Sequence, residues 1–359
     1  MFLKELHLKH FKSHESFDVD FTKRISLVCG ANGSGKTNVL DALGLIGRGK
    51  PFFAESDVRC IEDGATFFRV EGMVEDNEGL FKNILVFHDG SKKRIQLDHE
   101  EVVSRSSMAS WFPMLMHSPY SFRLITGGAE ERRRWMDRIL SMIDPSYLQS
   151  RLNYQKVLTQ RTEFVKKNGM ASHQPITELL DVYDDQLFDL GKSLFDQRLL
   201  FLQGLKEIFD HTVDQFEFAG RNLQFDYLSV YHHNDPKTQQ RKARSNDLRL
   251  GRSTWGVHRD DLQFTLKESK LRWEASQGQQ KVFLLAMLFA AAQFVESHSG
   301  KTPLLLFDDV FDRLDEHRQN LFAQSIDGIK NQVLLTHTSK NYPASFCDRI
   351  GIFDLTPLP

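Results

Sequence analysis

Residues 30–43 read GANGSGKTNVLDAL, and the six residues before them, RISLVC from Arg24 to Cys29, form an apolar run. The pattern Gly-x-x-x-x-Gly-Lys-Thr, from Gly30 to Thr37, thus stands between a strand-like stretch and one with helical apolar spacing, the context this motif requires. In such a loop the glycines turn backbone N–H groups inward as an anion nest at a helix N-terminus. The lysine reaches the β and γ phosphates, and the threonine hydroxyl coordinates Mg²⁺. Gly30, Ala31, Asn32, Gly33, Ser34, Gly35, Lys36, Thr37 and Asn38 are therefore expected to hold ATP, with Lys36 catalytic and Thr37 a metal ligand.

A phosphate loop needs a second carboxylate-bearing strand, and TPLLLFDDVFDRLD supplies one. Leu304 to Phe307 are continuously apolar, as in a buried parallel strand, and end in Asp308 and Asp309. Carboxylates at the C-terminal end of such a strand lie where open α/β sheets bind ligands. Asp308 is expected to hold Mg²⁺ and Asp309 to polarise the attacking water, a Walker B arrangement. A further apolar run, Val333 to Leu335, delivers Thr336 and His337 to the same edge, where His337 is either a γ-phosphate sensor or a solvated loop residue. About thirty residues before Asp308 stands ASQGQQK, with Ser276, Gly278 and Gln279 opening an apolar helix. Phosphate loop, Ser-x-Gly-Gln turn and Walker B in that order are the order of an ABC-type ATPase. In that architecture two subunits pack head to tail and each turn meets the other's γ-phosphate, so Ser276, Gly278 and Gln279 are read as nucleotide contacts in trans.

Composition bounds the rest. With 359 residues, 40% hydrophobic and 26% charged, the chain suits a folded protein with two lobes. The N-terminal stretch has scattered lysines and no apolar core, and the run Val282–Val295 is short for a bilayer and includes Gln293, so no membrane segment is expected and a cytoplasmic location is. Cys29, Cys60 and Cys347 suggest neither a disulfide framework nor a zinc site. A net charge of −2 requires any nucleic-acid binding to use a local basic patch.

Around the phosphate loop, Phe17, Val19 and Phe21, then Phe68, Val70, Gly72 and Val74, then NILVFHDGSKKRIQL turning at Asp89-Gly90, alternate with period two, predicting an antiparallel β subdomain. From about Met114 the texture becomes helical. Asp144-Pro145 opens one helix, Asn168-Gly169 stops it, and apolar spacings of three and four from Pro175 to about Phe216 predict a helix of about 60 Å. The expected organisation is an α/β, ABC-type (SMC-head-like) P-loop ATPase core in two parts, 1–112 and 250–359, with a helical arm inserted at 113–249. Two basic segments stand out. RKARSNDLRLGR offers Arg241, Lys242, Arg244 and Arg249 either as DNA-phosphate contacts or as a solvated loop, and Arg132, Arg133 and Arg134 form a second cluster or an exposed helix face.

Five segments, GANGSGKTNVLDAL, LITGGAEERRRWMDRIL, WGVHRDDLQF, ASQGQQK and LLLFDDVFDRLD, together resemble the RecF family of bacterial recombination mediators nearly end to end. The resemblance implies a weak, DNA-stimulated ATPase of gap repair and replication-fork maintenance, tied to the SOS response. Such a protein binds ATP between two subunits, dimerises on double-stranded and gapped DNA, and works with RecO and RecR to place RecA. The sequence departs from the family at Pro119-Tyr120-Ser121, at Gly256-Val257-His258-Arg259 and at Asp312-Arg313-Leu314-Asp315. The alternative reading is an SMC-like or transporter-type ABC subunit with another partner.

Overall fold

The apolar run before the phosphate loop becomes β3 (Ile25–Cys29), all five of its residues buried. Its neighbours come from the far end of the chain. In the computed structural model, which describes residues 1–102, 105–168, 176–215, 223–312, 316–338 and 349–355, β3 lies between β13 (Val333–His337) and β14 (Ile350–Asp354). The sheet continues through β12 (Leu304–Phe307) to β8 (Met114–His117), and every pairing in it is parallel. Parallel strands are covered on both faces, which is why these runs are apolar throughout and do not alternate.

The chain divides into two units. The first comprises Met1–Ser121, His211–Phe218 and Gln277–Pro359, the second Phe122–Asp210 and Ala219–Ser276. The first unit holds the parallel sheet and a six-stranded antiparallel sheet of order β2-β1-β4-β5-β6-β7. Its strands are β1 (Phe2–Phe11), β2 (His14–Asp20), β4 (Phe68–Glu75), β5 (Phe81–His88), β6 (Lys93–Leu97) and β7 (Glu100–Glu101). Between the sheets runs α1 (Lys36–Arg48), with Val39, Leu40, Ala42, Leu43, Leu45 and Ile46 inaccessible to solvent in one core with Leu6, Val70, Ile84, Leu306 and Leu334. Each such aliphatic side chain contributes about 2 kcal/mol of transfer free energy. Gly72 of β4 lets the helix approach, since a Cβ there would lie 2.9 Å from Ile46 Cδ1.

Three further helices belong to this unit: α2 (Arg105–Trp111), α9 (Gln277–Ser299) and α10 (Glu316–Asp327). The apolar run at 282–295 proves to be part of a 23-residue helix, α9, long and apolar enough to cross a membrane, yet 72% of its most apolar window is buried inside the fold. It is built as a core helix, apolar all round because it is covered all round. The structure also moves β8 out of the arm. The boundary at 113 fell just before this strand, which pairs with β12 from Met114↔Leu304 to His117↔Phe307.

The second unit holds α3 (Arg123–Thr126), α4 (Ala129–Ile143), α5 (Pro145–Asn168), most of α6 (Ile176–Gln215), α7 (Pro236–Leu250) and α8 (Leu271–Glu274). An antiparallel sheet of order β11-β10-β9 accompanies them, from β9 (Leu223–Leu228), β10 (Asp261–Leu266) and β11 (Ser269–Lys270), so residues 250–276 fall here rather than with the parallel sheet. Asp144 and Pro145 open α5 as the sequence suggests, the Asp144 carboxylate accepting from the Ser146 N–H at 2.8 Å. At 40 residues α6 spans about 60 Å. Gly169, residues 216–222, Arg313–Asp315 and Cys347 lie outside the described residues.

Candidate nucleotide-binding site

The loop from Gly30 to Gly35 needs left-handed backbone at two points, Gly33 (φ 86°) and Gly35 (φ 94°), where a side chain is strained. At Gly35 sterics agree, since a Cβ would meet His14 Nε2 at 2.5 Å. Lys36, 6% exposed, turns its ammonium into the loop, donating to Gly30 O at 2.8 Å and Ala31 O at 3.0 Å. Ser34 Oγ is buried without a hydrogen-bond partner, while Thr37, at the helix start, is exposed.

The Walker B pair follows β12, and the strand order carries it to the same edge. Asp308, 8% exposed, accepts from Thr336 Oγ1 at 2.8 Å, and the same hydroxyl accepts from the Asp309 N–H at 3.1 Å. Burial raises the Asp308 pKa and neighbouring Asp309 raises it further, against the Thr336 hydrogen bond and the positive charge of Lys36. Asp309 sits at φ 48°, a region that non-glycine residues rarely adopt, and its Oδ1 is buried without a hydrogen-bond partner. Such an aimed, unsatisfied oxygen suits a water or a hydrated cation. His337 pairs with Cys29 at the end of β13, its carbonyl accepts from the Gly30 N–H at 3.3 Å, and its ring meets Phe311 edge-on at 5.5 Å. Gly30, Lys36, Asp308, Asp309, Thr336 and His337, up to some 300 residues apart in sequence, are thus gathered at the C-terminal edge of one sheet, where α/β folds bind ligands.

Several residues at this edge carried no signal in the sequence. The β1–β2 turn packs on the loop, with His14 Nε2 donating to Gly35 O at 3.2 Å and Asn38 Nδ2 to Ser13 Oγ at 2.6 Å. Lys12 pairs with Asp41 of α1, which also accepts the Phe52 and Phe53 N–H groups at 2.7 Å each. His117, at the end of β8, accepts the Asp308 N–H on its carbonyl at 2.9 Å, and its buried ring has its pKa pushed down to about 3 by desolvation and by Lys281. Tyr120, in a segment that departs from the family, is exposed and 5.8 Å from the Phe53 ring.

Ser276 is exposed and directly precedes α9, whose first turns are fastened elsewhere. A Cβ on Gly278 would lie 2.9 Å from an Arg318 guanidinium nitrogen of α10, Gln279 is partly exposed, and Lys281 Nζ donates to Asp312 O at 2.5 Å.

The basic segments resolve differently from expectation. RKARSNDLRLGR is helical, the greater part of α7, with Asp235 capping its first turn and Gly251 ending it at φ 63°. Its buried positions are Gln240 and Asp247, so no apolar stripe announces it. Arg241, Lys242 and Arg249 are exposed, but Arg244 is committed internally, to Asp181 at 2.5 Å and to Asp184. The triplet is committed too. Arg132 binds Asp261 through two nitrogens at 2.6 and 3.1 Å, Arg133 donates to Asp260 O at 2.6 Å, and Arg134 pairs with Glu130 at 2.5 Å. The ERRR and HRDD segments are therefore each other's partners. Asp260 also holds the buried Arg198, which reaches Asp137 and Tyr147 as well.

A parallel sheet with a phosphate loop after one strand, a carboxylate pair after another and a Ser-x-Gly-Gln helix start between them in sequence defines a P-loop ATPase head of the ABC and SMC type. The profile of the RecF/RecN/SMC N-terminal domain family matches residues 2–354, and the chain belongs to this family. It is 34% identical to the DNA replication and repair protein RecF of Flavobacterium johnsoniae, over 89% of this chain and 88% of that protein. A solved structure of the recombination mediator protein RecF–ATPrS of the RecFOR pathway superposes with a TM-score of 0.86 at 25% identity, covering 95% of this chain and 93% of that one. The Smc head domain of Pyrococcus furiosus shares the fold, with a TM-score of 0.56 at 15% identity over 94% of this chain and 90% of that one. The chain is a RecF-like DNA replication and repair protein.

Proposed function

We propose that this protein binds and slowly hydrolyses ATP with Mg²⁺ at a composite site between two copies, and that nucleotide-driven pairing clamps it on double-stranded and gapped DNA. There, in the cytoplasm, it acts with RecO and RecR to help place RecA. The observation that carries the reading is the convergence of Lys36, Asp308, Asp309 and Thr336 on one sheet edge. Lys36 leaves the Gly30 and Ala31 carbonyls for the β and γ phosphates, and backbone N–H groups of the loop and of the start of α1 line the chain of phosphates. Thr37 and Asp308 would hold the cation, and Mg²⁺ there would neutralise phosphate charge. Asp309, with an unsatisfied buried oxygen, orients the attacking water, and His337 faces the γ position. Ser276, Gly278 and Gln279 serve the partner's nucleotide, which fits their exposure and the fastening of α9 to α10 and Asp312. Of the DNA contacts read from α7, Arg241, Lys242 and Arg249 are retained and Arg244 is withdrawn.

Pairing can be tested by complementation. Ser276→Arg and Lys36→Met are each expected to stay monomeric with ATP, whereas their mixture has one intact site, from the first variant's Lys36 and the second's Ser276. Light scattering should find ATP-dependent dimers in the mixture alone. A Ser276→Arg protein that dimerises and turns over ATP like the wild type ends the composite-site reading.

A further inference from the structure

The cations of the helical unit differ in how they are partnered. Arg132, Arg133, Arg161, Arg198 and Arg244 are drawn inward, each donating to an aspartate carboxylate or carbonyl of the same unit. Lys166, Lys167, Arg249 and Arg252 are exposed, and none forms an ion pair with any described residue.

These four gather at one place. Lys166 and Lys167 occupy the last turn of α5, Arg249 the last turn of α7, and Arg252 follows the Gly251 cap. The buried Arg161–Asp247 pair, 2.7 Å, fixes the two helices side by side, and four to five residues further along each, Gly251 approaches Lys166, a Cβ there lying 3.8 Å from Lys166 Cα. Pairings that advance together mean that the helices run in the same direction and end together. Two helix C-termini bring about half a negative charge each, and exposed Glu163 one more, so four cations leave an excess of about two positive charges. Exposed Arg241 and Lys242 of α7 continue the line of cations, about 15 Å from Arg252 along the helix axis, with their charge partly offset by exposed Asp185 and Asp235. Cations that only complemented the helix ends would stop at the last turn. These continue as a stripe, over a length in which duplex DNA presents about nine phosphate charges.

We propose that the common end of α5 and α7 is a contact for the phosphate backbone of duplex DNA, with Lys166, Lys167, Arg249 and Arg252 as its main ligands. It deepens the DNA reading above and rests on it. Long, exposed cations without base-reading partners bind sequence-independently and release counterions, so the signature is salt dependence rather than sequence preference.

The test is fluorescence anisotropy of a labelled 40-base-pair duplex with ATP across a KCl series. It compares the wild type, the variant Lys166→Gln/Lys167→Gln/Arg249→Gln/Arg252→Gln, and a control, Lys192→Gln/Lys206→Gln, whose lysines are exposed on α6 but paired with Asp196 and Asp210. The fourfold variant should flatten the log–log slope by about 3 to 4 and weaken binding about 10²-fold or more at 0.1 M salt, with the control unchanged. Should it fail to fold, the two double variants at 166/167 and 249/252 are each expected to remove about half of the slope change. A folded fourfold variant with the wild-type slope overturns the inference while leaving DNA binding in place, and points to an acidic protein partner for this surface. A wild type with no measurable duplex affinity overturns both readings.

Discussion

Arg244 is where the sequence and the structure assign opposite roles, and replacing it separates them. Its side chain is 18% exposed and joins α7 to α6 through Asp181, which is 50% exposed, and Asp184, which is 3% exposed. In Arg244→Met the aliphatic volume is largely kept and the donors are lost. Asp181 returns to water at little cost, since a half-exposed pair contributes about 0–1 kcal/mol. Asp184 cannot do so. It keeps Arg161 at 2.6 Å but loses the partner of its second oxygen, and a lost bond to a buried charged group costs about 1.5–3 kcal/mol. The sum is about 1.5–4 kcal/mol. For a unit of roughly 150 residues, at about 2–4 °C per kcal/mol, melting should fall by about 3–16 °C. Scanning calorimetry measures this, and salt-dependent DNA binding completes the assay. A phosphate ligand would take about 0.9 from the log–log slope, whereas an internal strut takes almost nothing. A variant that melts like the wild type and loses a full unit of slope refutes the internal assignment.

Lys36→Met should weaken ATP binding by more than about tenfold without lowering the melting temperature, because the loop loses its charge and not its packing; isothermal titration that finds wild-type affinity removes Lys36 from the site. Asp309→Asn is expected to bind ATP within about twofold of wild type and turn it over about 10²-fold more slowly, and undiminished turnover places the base elsewhere. His258 is held neutral, its pKa pushed down to about 4 chiefly by burial, with Nε2–H donating to Ser253 O at 3.1 Å and Nδ1 accepting from Tyr154 at 2.8 Å. The unfolded chain takes that proton first, so its contribution is complete above pH 6.5 and is lost as pH falls toward 4, about 2 kcal/mol between pH 7 and pH 5. Urea unfolding of His258→Gln should be flatter by that amount over the window, and equal pH dependence counts against a buried neutral imidazole.

Legibility followed the length scale of the signal. The runs at Leu304–Phe307 and Val333–His337 and the glycine loop are local, so strand, loop and sheet edge could be read directly. Met114–His117 could not, because four residues without β-branching, next to Pro113 and Pro119, resemble a loop until β12 pairs with them. Helix α7 was hidden for another reason: its buried face is Gln240 and Asp247, polar residues satisfied by partners about 55–85 positions away, so its hydrophobic period is missing. The fate of Arg244, Arg132 and Arg133 was likewise set by distant aspartates that look like ordinary surface charges in a linear reading, whereas Arg134 pairs with Glu130 on its own helix. At the site, the motifs named the residues, but the left-handed backbone of Asp309 and the His14 contact with Gly35 depend on the assembled edge.

The position of β3 between β13 and β14 also sets a schedule for the chain as it leaves the ribosome. The strand that carries the phosphate loop emerges among the first thirty residues, yet both of its neighbours belong to residues 333–354. At about 5–20 residues per second, translation takes about 15–60 s to deliver them. Throughout that interval Ile25–Cys29 has two open edges and five apolar side chains with no sheet to enter, a configuration prone to pairing with another chain. Fragments ending anywhere before Val333 should therefore be recovered as aggregates rather than as a small nucleotide-binding domain, and expression yield should respond to chaperone supply during synthesis more than to the stability of the finished fold.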